Sequence, residues 1–329
     1  MADKKVNFRI IIFGAGAVGG VVGGLLALSG TPVTLIGRPS NVKVIREHGL
    51  RIVTPGGTQT VHLSVVTVPN QIDFGQDDVV FPCVKGQDTE KAMCDLHAVV
   101  KDIPIFCLQN GVRNEEIVSK YYPRLYGVMT TGVFFFTQDG EVVSVSDPPG
   151  QFMVGRYPEG KDELAESISA KLRNAGFEVV VTPEVMPHKW GKFVINLTNA
   201  IGAITNTGGE EYNRIAHAAQ NEAKEILAQA GVRWIPTGKP PSRRPTVTNR
   251  LGFSPSGMPL GSTWQSLIRR QGTVETEFLN GEIVRIAKKL GRRAPINETL
   301  LCITEEMAAN HEPPGKYTPV ELIKMLKLD

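Results

Sequence analysis

The sequence predicts an α/β fold in which an N-terminal doubly wound parallel sheet is followed by an all-helical C-terminal domain. From residue 8 to about residue 182, short apolar runs alternate with segments of helical apolar spacing, which is typical of parallel strands joined by helices. A glycine-rich turn directly follows the first run, and beyond about residue 187 long helical patterns dominate. We therefore expect one domain over residues 1–184 and another over residues 185–329.

Six apolar runs in the first half are predicted strands, and the segments between them are predicted helices. The strands are expected at residues 10–13, 33–36, 79–84, 105–108, 125–131 and 178–181. The helices are expected at residues 18–29, 42–48, 89–99 and 114–122. Two further stretches, residues 50–68 and 134–154, contain the turn signals of hairpin insertions.

The second half is predicted to be helical. The helical patterns cover residues 189–205, 212–230, 263–290 and 297–309. Gly231 and Gly291 follow two of them as expected C-caps. Residues 235–262 contain six prolines and several glycines, so we expect a loop there.

Composition limits the function classes. The net charge of +3 is too small to indicate nucleic acid or a membrane surface as a partner, and it suits small anionic ligands. The four cysteines have no metal-binding spacing, so we predict no metal site and a reducing cytoplasm as the compartment. A small-molecule substrate is expected, and a homodimer is compatible with the helical second domain.

The glycine-rich turn has the pattern of a Rossmann-type dinucleotide site. Gly14 would permit the tight turn, Gly16 would let the backbone approach a pyrophosphate, and Gly19 would let the helix pack on the strand. The pyrophosphate would lie at the helix N-terminus, where free N–H groups favour an anion. The predicted contacts are Gly14, Ala15, Gly16, Ala17, Val18 and Gly19.

Arg38 indicates which dinucleotide this is. NAD sites usually carry a carboxylate about 20 residues after the glycines, at the end of the second strand. This chain has Gly37-Arg38-Pro39-Ser40 there, and a guanidinium can hold a phosphate through two parallel hydrogen bonds. The sequence therefore predicts NADP(H).

An uncharged stretch over residues 10–30 also has the composition of a membrane segment or signal peptide. Gly14-Ala15-Gly16 would break such a helix, and a second strand pattern follows at once. We therefore favour a strand, a turn and a helix.

Lys192 lies in a second informative segment. At about 100° per residue, Lys192, Asn196 and Asn199 form a narrow polar stripe on an otherwise apolar helix. A lysine in such surroundings can serve as a general acid, and reduction of a carbonyl needs one at the oxygen. The alternative is a surface helix with a solvated lysine.

These motifs resemble those of the ketopantoate reductase (2-dehydropantoate 2-reductase) family, which reduces a branched 2-keto acid with NADPH in the pathway to pantothenate. The similarity extends over nearly the whole chain. It rests on six motifs: the glycines from Gly14 to Gly19, Val84-Lys85, Gln109-Asn110-Gly111, Trp190-x-Lys192-x-x-x-Asn196, Ser262-x-x-Gln265 and Glu275-x-x-x-x-Asn280-Gly281.

The resemblance implies roles for individual residues. Lys192 would be the proton donor, and Glu275 would orient it while contacting the cofactor. Substrate would be bound by Asn196, Asn199, Ser262 and Asn110. The cofactor cleft would be lined by Lys85, Gln87 and Asn110. Without the family resemblance, the sequence is equally compatible with Glu275 as a solvated helix residue, Asn110-Gly111 as only a turn, and Lys85 as a surface cation.

The chain departs from the family pattern on the substrate side. The family usually has a second amide eight positions after the lysine, where this chain has Ala200, and Asn199 is offset by one. Pro259 and Thr207-Gly208-Gly209 stand where further asparagines are expected. The alternatives are a paralogous enzyme that reduces a different 2-keto acid, a related two-domain dehydrogenase that works in the oxidative direction, and a non-catalytic NADPH-binding sensor.

Overall fold

The structure is a computed structural model that describes residues 8–237 and 261–328. The described residues form two compact units, of which the first runs to Lys189 and the second starts at Trp190. Most of the predicted proline-rich loop, including Pro259, falls within residues 238–260, which lie outside the described residues.

The strands belong to the first unit. They are β1 Arg9–Phe13, β2 Val33–Ile36, β3 Leu50–Thr54, β4 Gly57–Val61, β5 Ser64–Val66, β6 Asp78–Pro82, β7 Ile105–Cys107, β8 Leu125–Thr130, β9 Phe134–Gln138, β10 Glu141–Ser144, β11 Gln151–Arg156 and β12 Glu178–Val181.

Helices of the first unit connect these strands, and those of the second unit follow. The helices are α1 Ala17–Leu28, α2 Pro39–His48, α3 Thr89–His97, α4 Asn114–Val118, α5 Glu163–Asn174, α6 Val185–Asn196, α7 Asn199–Thr205, α8 Glu210–Gln229, α9 Ser262–Ile268, α10 Asn280–Lys289, α11 Pro295–Ala309 and α12 Pro319–Met325. The predicted α/β fold with a helical C-terminal region is confirmed.

The main sheet has the strand order β12-β11-β8-β7-β6-β1-β2-β5. From β2 to β8 all neighbours are parallel, as predicted. Parallel pairing also joins β5 to β2, although residues 50–68 were predicted to form a hairpin insertion. The expectation of a wholly parallel sheet is wrong at the other edge, because β11 pairs antiparallel with β8 and β12 runs parallel to β11. The apolar runs could not reveal this, since a buried strand has the same pattern in either direction.

The two predicted hairpins pair with each other in a second sheet, of order β4-β3-β10-β9. Its two central strands, β3 and β10, are parallel, with Ile52 opposite Val142. This sheet packs on α1: a Cβ on Gly20 would stand 2.6 Å from a Val142 methyl, and one on Gly24 would stand 2.4 Å from Ile52 Cδ1. The glycines spaced along α1 therefore allow the second sheet to pack closely on this helix.

The membrane alternative is not supported by the folded chain. Residues 10–30 form most of β1, a turn and α1. In the described ranges, every helix is too short or too polar to cross a membrane.

Two of the predicted long helices are interrupted. The helix expected over residues 189–205 breaks between α6 and α7, where Asn280 Nδ2 donates to the Leu197 carbonyl at 3.2 Å. The chain also forms a turn at Thr198, because both the N–H and the hydroxyl of Thr198 donate to Ile195 O. The helix expected over residues 263–290 ends at α9, because Arg270 has φ +49° and the Gln271 N–H donates to Ser266 O, as in a Schellman cap.

Candidate functional site

The glycine loop (residues 14–16) connects β1 to α1 at the carboxyl edge of the main sheet. Gly14 has φ +119°, and a Cβ there would stand 2.7 Å from Val84 N, in the segment after β6. A Cβ on Gly19 would stand 2.1 Å from Gly14 O. Both positions therefore need glycine. The absence of side chains there lets α1 and the segment after β6 pack closely against the glycine loop.

The N-terminus of α1 suits an anion. Its N-cap, Gly16, offers no side chain to the free N–H groups, and the first turn, Ala17 to Gly20, contains no acidic residue. Within the described residues, a Cβ built on Gly16 would have no atom within 4 Å, so the space above the loop is open. The loop therefore fits the pyrophosphate of a dinucleotide.

Arg38 stands two residues after β2 and is exposed. It is the N-cap residue of α2, whose first turn also lacks an acidic residue. In the described part of the chain its guanidinium makes no hydrogen bond or ion pair. A cation at this position next to a helix N-terminus favours an additional phosphate group.

In the main sheet β1 lies between β2 and β6. The chain continues from β1 to β2, its neighbour on one side, whereas later strands are added on the other side, beginning with β6. In sheets of this kind, ligands bind at the carboxyl ends of the strands, at the point where the strand order reverses. Lys85 and Gln87 follow β6, the first partly buried and the second exposed, and Asn110 follows β7 and is partly buried. The structure thus gathers the glycine loop, Lys85 and Asn110 at the carboxyl ends of three adjacent strands.

Asn41 was not found from the sequence. Its buried side chain donates from Nδ2 to Ala15 O at 2.9 Å, and its Oδ1 accepts from the Gly140 N–H at 2.7 Å. It therefore fixes the glycine loop to the first turn of α2 and to the β9–β10 turn. An asparagine three residues after Arg38 was the only signal, and it resembles an ordinary helix residue.

Two cysteines near this edge are inert. A Cβ on Gly19 would stand 3.0 Å from Cys83 Cβ, so Cys83 packs beneath the glycine loop. Burial raises the pKa of both the Cys83 and the Cys107 thiols. Both therefore stay neutral thiols in the physiological range and contribute packing.

The fully buried lysine of α6 is Lys189, whereas Lys192 is only partly buried. Lys189 Nζ donates to the Glu115 carboxylate and to two backbone carbonyls of the first unit. Of the two lysines on this otherwise apolar helix, Lys192 is therefore the less buried. Apolar spacing could not separate the two positions, since they lie three residues apart on the same helix.

The remaining predicted residues lie in the second unit. Lys192 and Asn196 are one turn apart on α6, and both are partly buried. Asn199 starts α7, beyond the break, so it does not continue their stripe on one helix. A Cβ on Gly261 would stand 2.7 Å from Asn199 Oδ1, so the amide lies against the backbone just before Ser262.

Ser262 is the first residue of α9, and Glu275 lies in the segment between α9 and α10. Ser262 Oγ is buried and has no hydrogen-bond partner in the part of the chain that the structure describes. Such an atom has an unmet hydrogen bond that a ligand can supply. Glu275 is partly buried and precedes the short 3₁₀ helix Thr276–Phe278.

Both halves of the chain match models of one protein family. Residues 10–159 match the family model described as ketopantoate reductase PanE/ApbA, and residues 184–308 match the model of its C-terminal part. The 2-dehydropantoate 2-reductase of Archaeoglobus fulgidus is 31% identical over 302 residues, covering 89% of this chain and 95% of that protein. The chain belongs to the ketopantoate reductase family. The corresponding enzyme of Pyrococcus horikoshii is 29% identical over 304 residues, covering 90% of this chain and 96% of that protein.

Solved structures of ketopantoate reductases share the fold. The PanE/ApbA family enzyme from Ralstonia eutropha has a TM-score of 0.78 at 26% identity and covers 92% of this chain and 99% of its own. D-mandelate dehydrogenase with NADH and anilino(oxo)acetate has a TM-score of 0.79 at 24% identity, over 92% of this chain and 99% of its own, and shows the fold alone. Family membership makes the protein an oxidoreductase that works with a nicotinamide cofactor, as the sequence predicted.

Proposed function

We propose that the protein reduces 2-dehydropantoate (ketopantoate) to pantoate with NADPH, as a step of pantothenate and coenzyme A biosynthesis. The archaeal relatives carry the name 2-dehydropantoate 2-reductase, and they align over nearly the full length of both chains. The strongest single observation is the glycine loop, which carries an open anion site with Arg38 at the end of the neighbouring strand.

The preference for NADPH is attributed to Arg38. The six residues from Gly14 to Gly19 would hold the pyrophosphate through backbone N–H groups. The Arg38 guanidinium would hold the phosphate on the ribose, because it is exposed and follows β2 where an NAD enzyme has a carboxylate. Lys85, Gln87 and Asn110 would line the remainder of the cofactor, toward its nicotinamide end.

Lys192 is proposed as the general acid. Bound NADPH supplies a hydride to the keto carbon. Lys192 Nζ would donate a proton to the keto oxygen, where negative charge develops. Glu275 would orient the lysine and contact the cofactor's ribose.

The substrate would be bound by side chains of the second unit, which also carries Lys192. Asn196 lies one turn after Lys192, so its amide can hydrogen-bond the same ligand. Ser262 Oγ would hold the substrate carboxylate, a role supported by its burial without a hydrogen-bond partner among the described residues. Asn199, next to the backbone of Gly261, would contribute a second amide from α7.

A second candidate is reduction of a different 2-keto acid. Ala200 stands where the family's second amide is expected, and it is buried. Asn199 reaches the ligand from a separate helix, so the substrate side chain would meet a differently shaped wall.

The deciding experiment follows NADPH oxidation spectrophotometrically with ketopantoate and a panel of other 2-keto acids. We expect the highest kcat/KM with ketopantoate. A higher value with another 2-keto acid would move the assignment to the second candidate. Tight NADPH binding without any turnover would instead indicate a sensor.

Lys192→Ala tests the acid. We expect kcat to fall by about 10²–10⁴-fold, because that is the usual contribution of a positioned acid. The Kd for NADPH should change little. Lys224→Ala, on the long helix α8, is the control and should leave kcat unchanged. Near-normal turnover of Lys192→Ala would reject the role.

Compartment and assembly complete the proposal. Cys83, Cys94, Cys107 and Cys302 are free, which suits a reducing cytoplasm. We propose a homodimer, to be measured by light scattering of the purified protein.

A further inference from the structure

A buried polar network joins the segments that follow β6 and β7. Gln109 Nε2 donates to Val84 O at 3.1 Å and to Thr89 Oγ1 at 2.7 Å. The Thr89 hydroxyl donates to Asn114 Oδ1 at 2.8 Å, and Asn114 Nδ2 donates to Asn110 O at 2.8 Å. The backbone of Asn110 is therefore tied, through three side chains, to the segment that carries Lys85.

A buried ion pair holds the same turn from its other side. Lys189 Nζ donates to Cys107 O at 3.3 Å, to Gln109 O at 3.2 Å and to the Glu115 carboxylate. The Lys189 and Glu115 side chains are only 3% and 0% exposed. An ammonium has three N–H donors, and here each has an acceptor.

The two carbonyls explain the position of the lysine. Cys107 is the last residue of β7 that pairs with β8, opposite Gly127. In an extended segment, carbonyls of alternate residues point to the same side. Gln109 lies beyond the last β7–β8 pair, so Lys189 supplies its carbonyl with a donor that β8 does not, and it also binds the Cys107 carbonyl where that pairing ends.

Stability alone is a poor explanation for this arrangement. A buried ion pair costs desolvation that two well-packed apolar side chains would avoid. Glu115 Oε2 is buried without a hydrogen-bond partner in the described residues, which adds to that cost. What the charged pair provides, and an apolar pair could not, is hydrogen bonds to the backbone on the N-terminal side of Asn110.

We infer that Lys189 and Glu115, together with the Gln109–Thr89–Asn114 chain, are positioning residues for the cofactor. They hold the turn over residues 109–111 in the conformation that presents Asn110 to the nicotinamide ribose. The inference rests on the proposed cofactor role of Asn110.

The test removes both charges at once, in Lys189→Met/Glu115→Leu, so that no unpaired charge stays buried. We expect a Tm near that of the parent, faster amide hydrogen exchange at residues 108–111, and a KM for NADPH raised about three- to tenfold with a smaller change in kcat. Asn110→Ala should then cost much less in this background than in the parent. The matched control is Lys91→Met/Asp95→Leu, which removes an exposed ion pair on α3.

Thr89→Val is a second route that avoids the ion pair. It keeps the side-chain shape and removes the hydroxyl between Gln109 and Asn114, so the same exchange and KM changes are expected. Unchanged exchange at residues 108–111 in both variants, or full additivity with Asn110→Ala, would overturn the inference. Exchange is measured without cofactor or substrate, so a protein that turns over no keto acid would reject the proposed function and leave this result readable.

Discussion

Gly19 shows how tightly a single residue can be constrained at the glycine loop. A methyl group there would meet the Gly14 carbonyl, which is backbone and cannot swing away. Gly19→Ala should therefore displace the loop and destabilise the protein by about 1–3 kcal/mol. Urea unfolding measures the loss, and the KM for NADPH should rise with it. Gly56→Ala is the control, because its nearest atom would be Thr54 Oγ1 at 3.7 Å.

Arg38 can be tested by charge reversal. Arg38→Asp removes charge-assisted hydrogen bonds worth about 1.5–3 kcal/mol and adds repulsion toward a phosphate. We expect the ratio of kcat/KM for NADPH to that for NADH to fall by at least tenfold. Lys43→Asp makes the same charge change at an exposed position of α2 and should preserve the ratio. An unchanged ratio in Arg38→Asp would remove Arg38 from the cofactor site.

At the scale of elements, the break between α6 and α7 is held by Asn280. Its amide donates to Leu197 O and, at 2.9 Å, to Asn297 Oδ1. Asn280→Ala would leave both buried acceptors without this donor, at a cost of about 1–3 kcal/mol. Chemical unfolding should show that loss, while Asn213→Ala, on the exposed face of α8, should show almost none.

Asn280→Ala also bears on activity. The break sets where Asn199 stands relative to Asn196, so we expect the KM for the keto acid to rise while the Kd for NADPH is kept. A loss of stability with an unchanged KM would limit Asn280 to a structural role.

The break also marks a limit of sequence reasoning. The apolar period continues through residues 189–205, and what interrupts it is a side chain 83 residues further along the chain. The end of α9 likewise has no glycine to mark it, because Arg270 takes the left-handed conformation there. Local signals predicted where helices occur but not where tertiary contacts divide them.

At the scale of the whole molecule, ligand binding should be visible as stabilisation. NADPH at 100 times its Kd would add about 2.7 kcal/mol, which corresponds to a rise in Tm of about 5–11 °C. Calorimetry with NADPH and NADH at equal concentrations should give the larger rise for NADPH. Equal rises would contradict the proposed preference.

The fold class and the strands β1, β2, β6, β7, β8 and β12 could be predicted because their signals are local. Apolar runs and the glycine loop follow directly from neighbouring residues. The second sheet could not, because β3 and β10 are paired across about ninety residues with no local sign of each other. In the candidate site, the glycines and Arg38 have recognisable spacing, whereas Asn41, Lys189 and Glu115 act through contacts that spacing does not encode.

Asn41 has a consequence for the order of events during synthesis. Its two hydrogen bonds join Ala15 to a turn that leaves the ribosome 99 residues after Asn41 itself. A nascent chain that ends after β7 already contains every predicted contact of the pyrophosphate, but the hairpin that covers α1 and anchors the loop has not yet been made. The ability to retain the cofactor should therefore arise only after residue 144 has emerged, long after the glycines themselves.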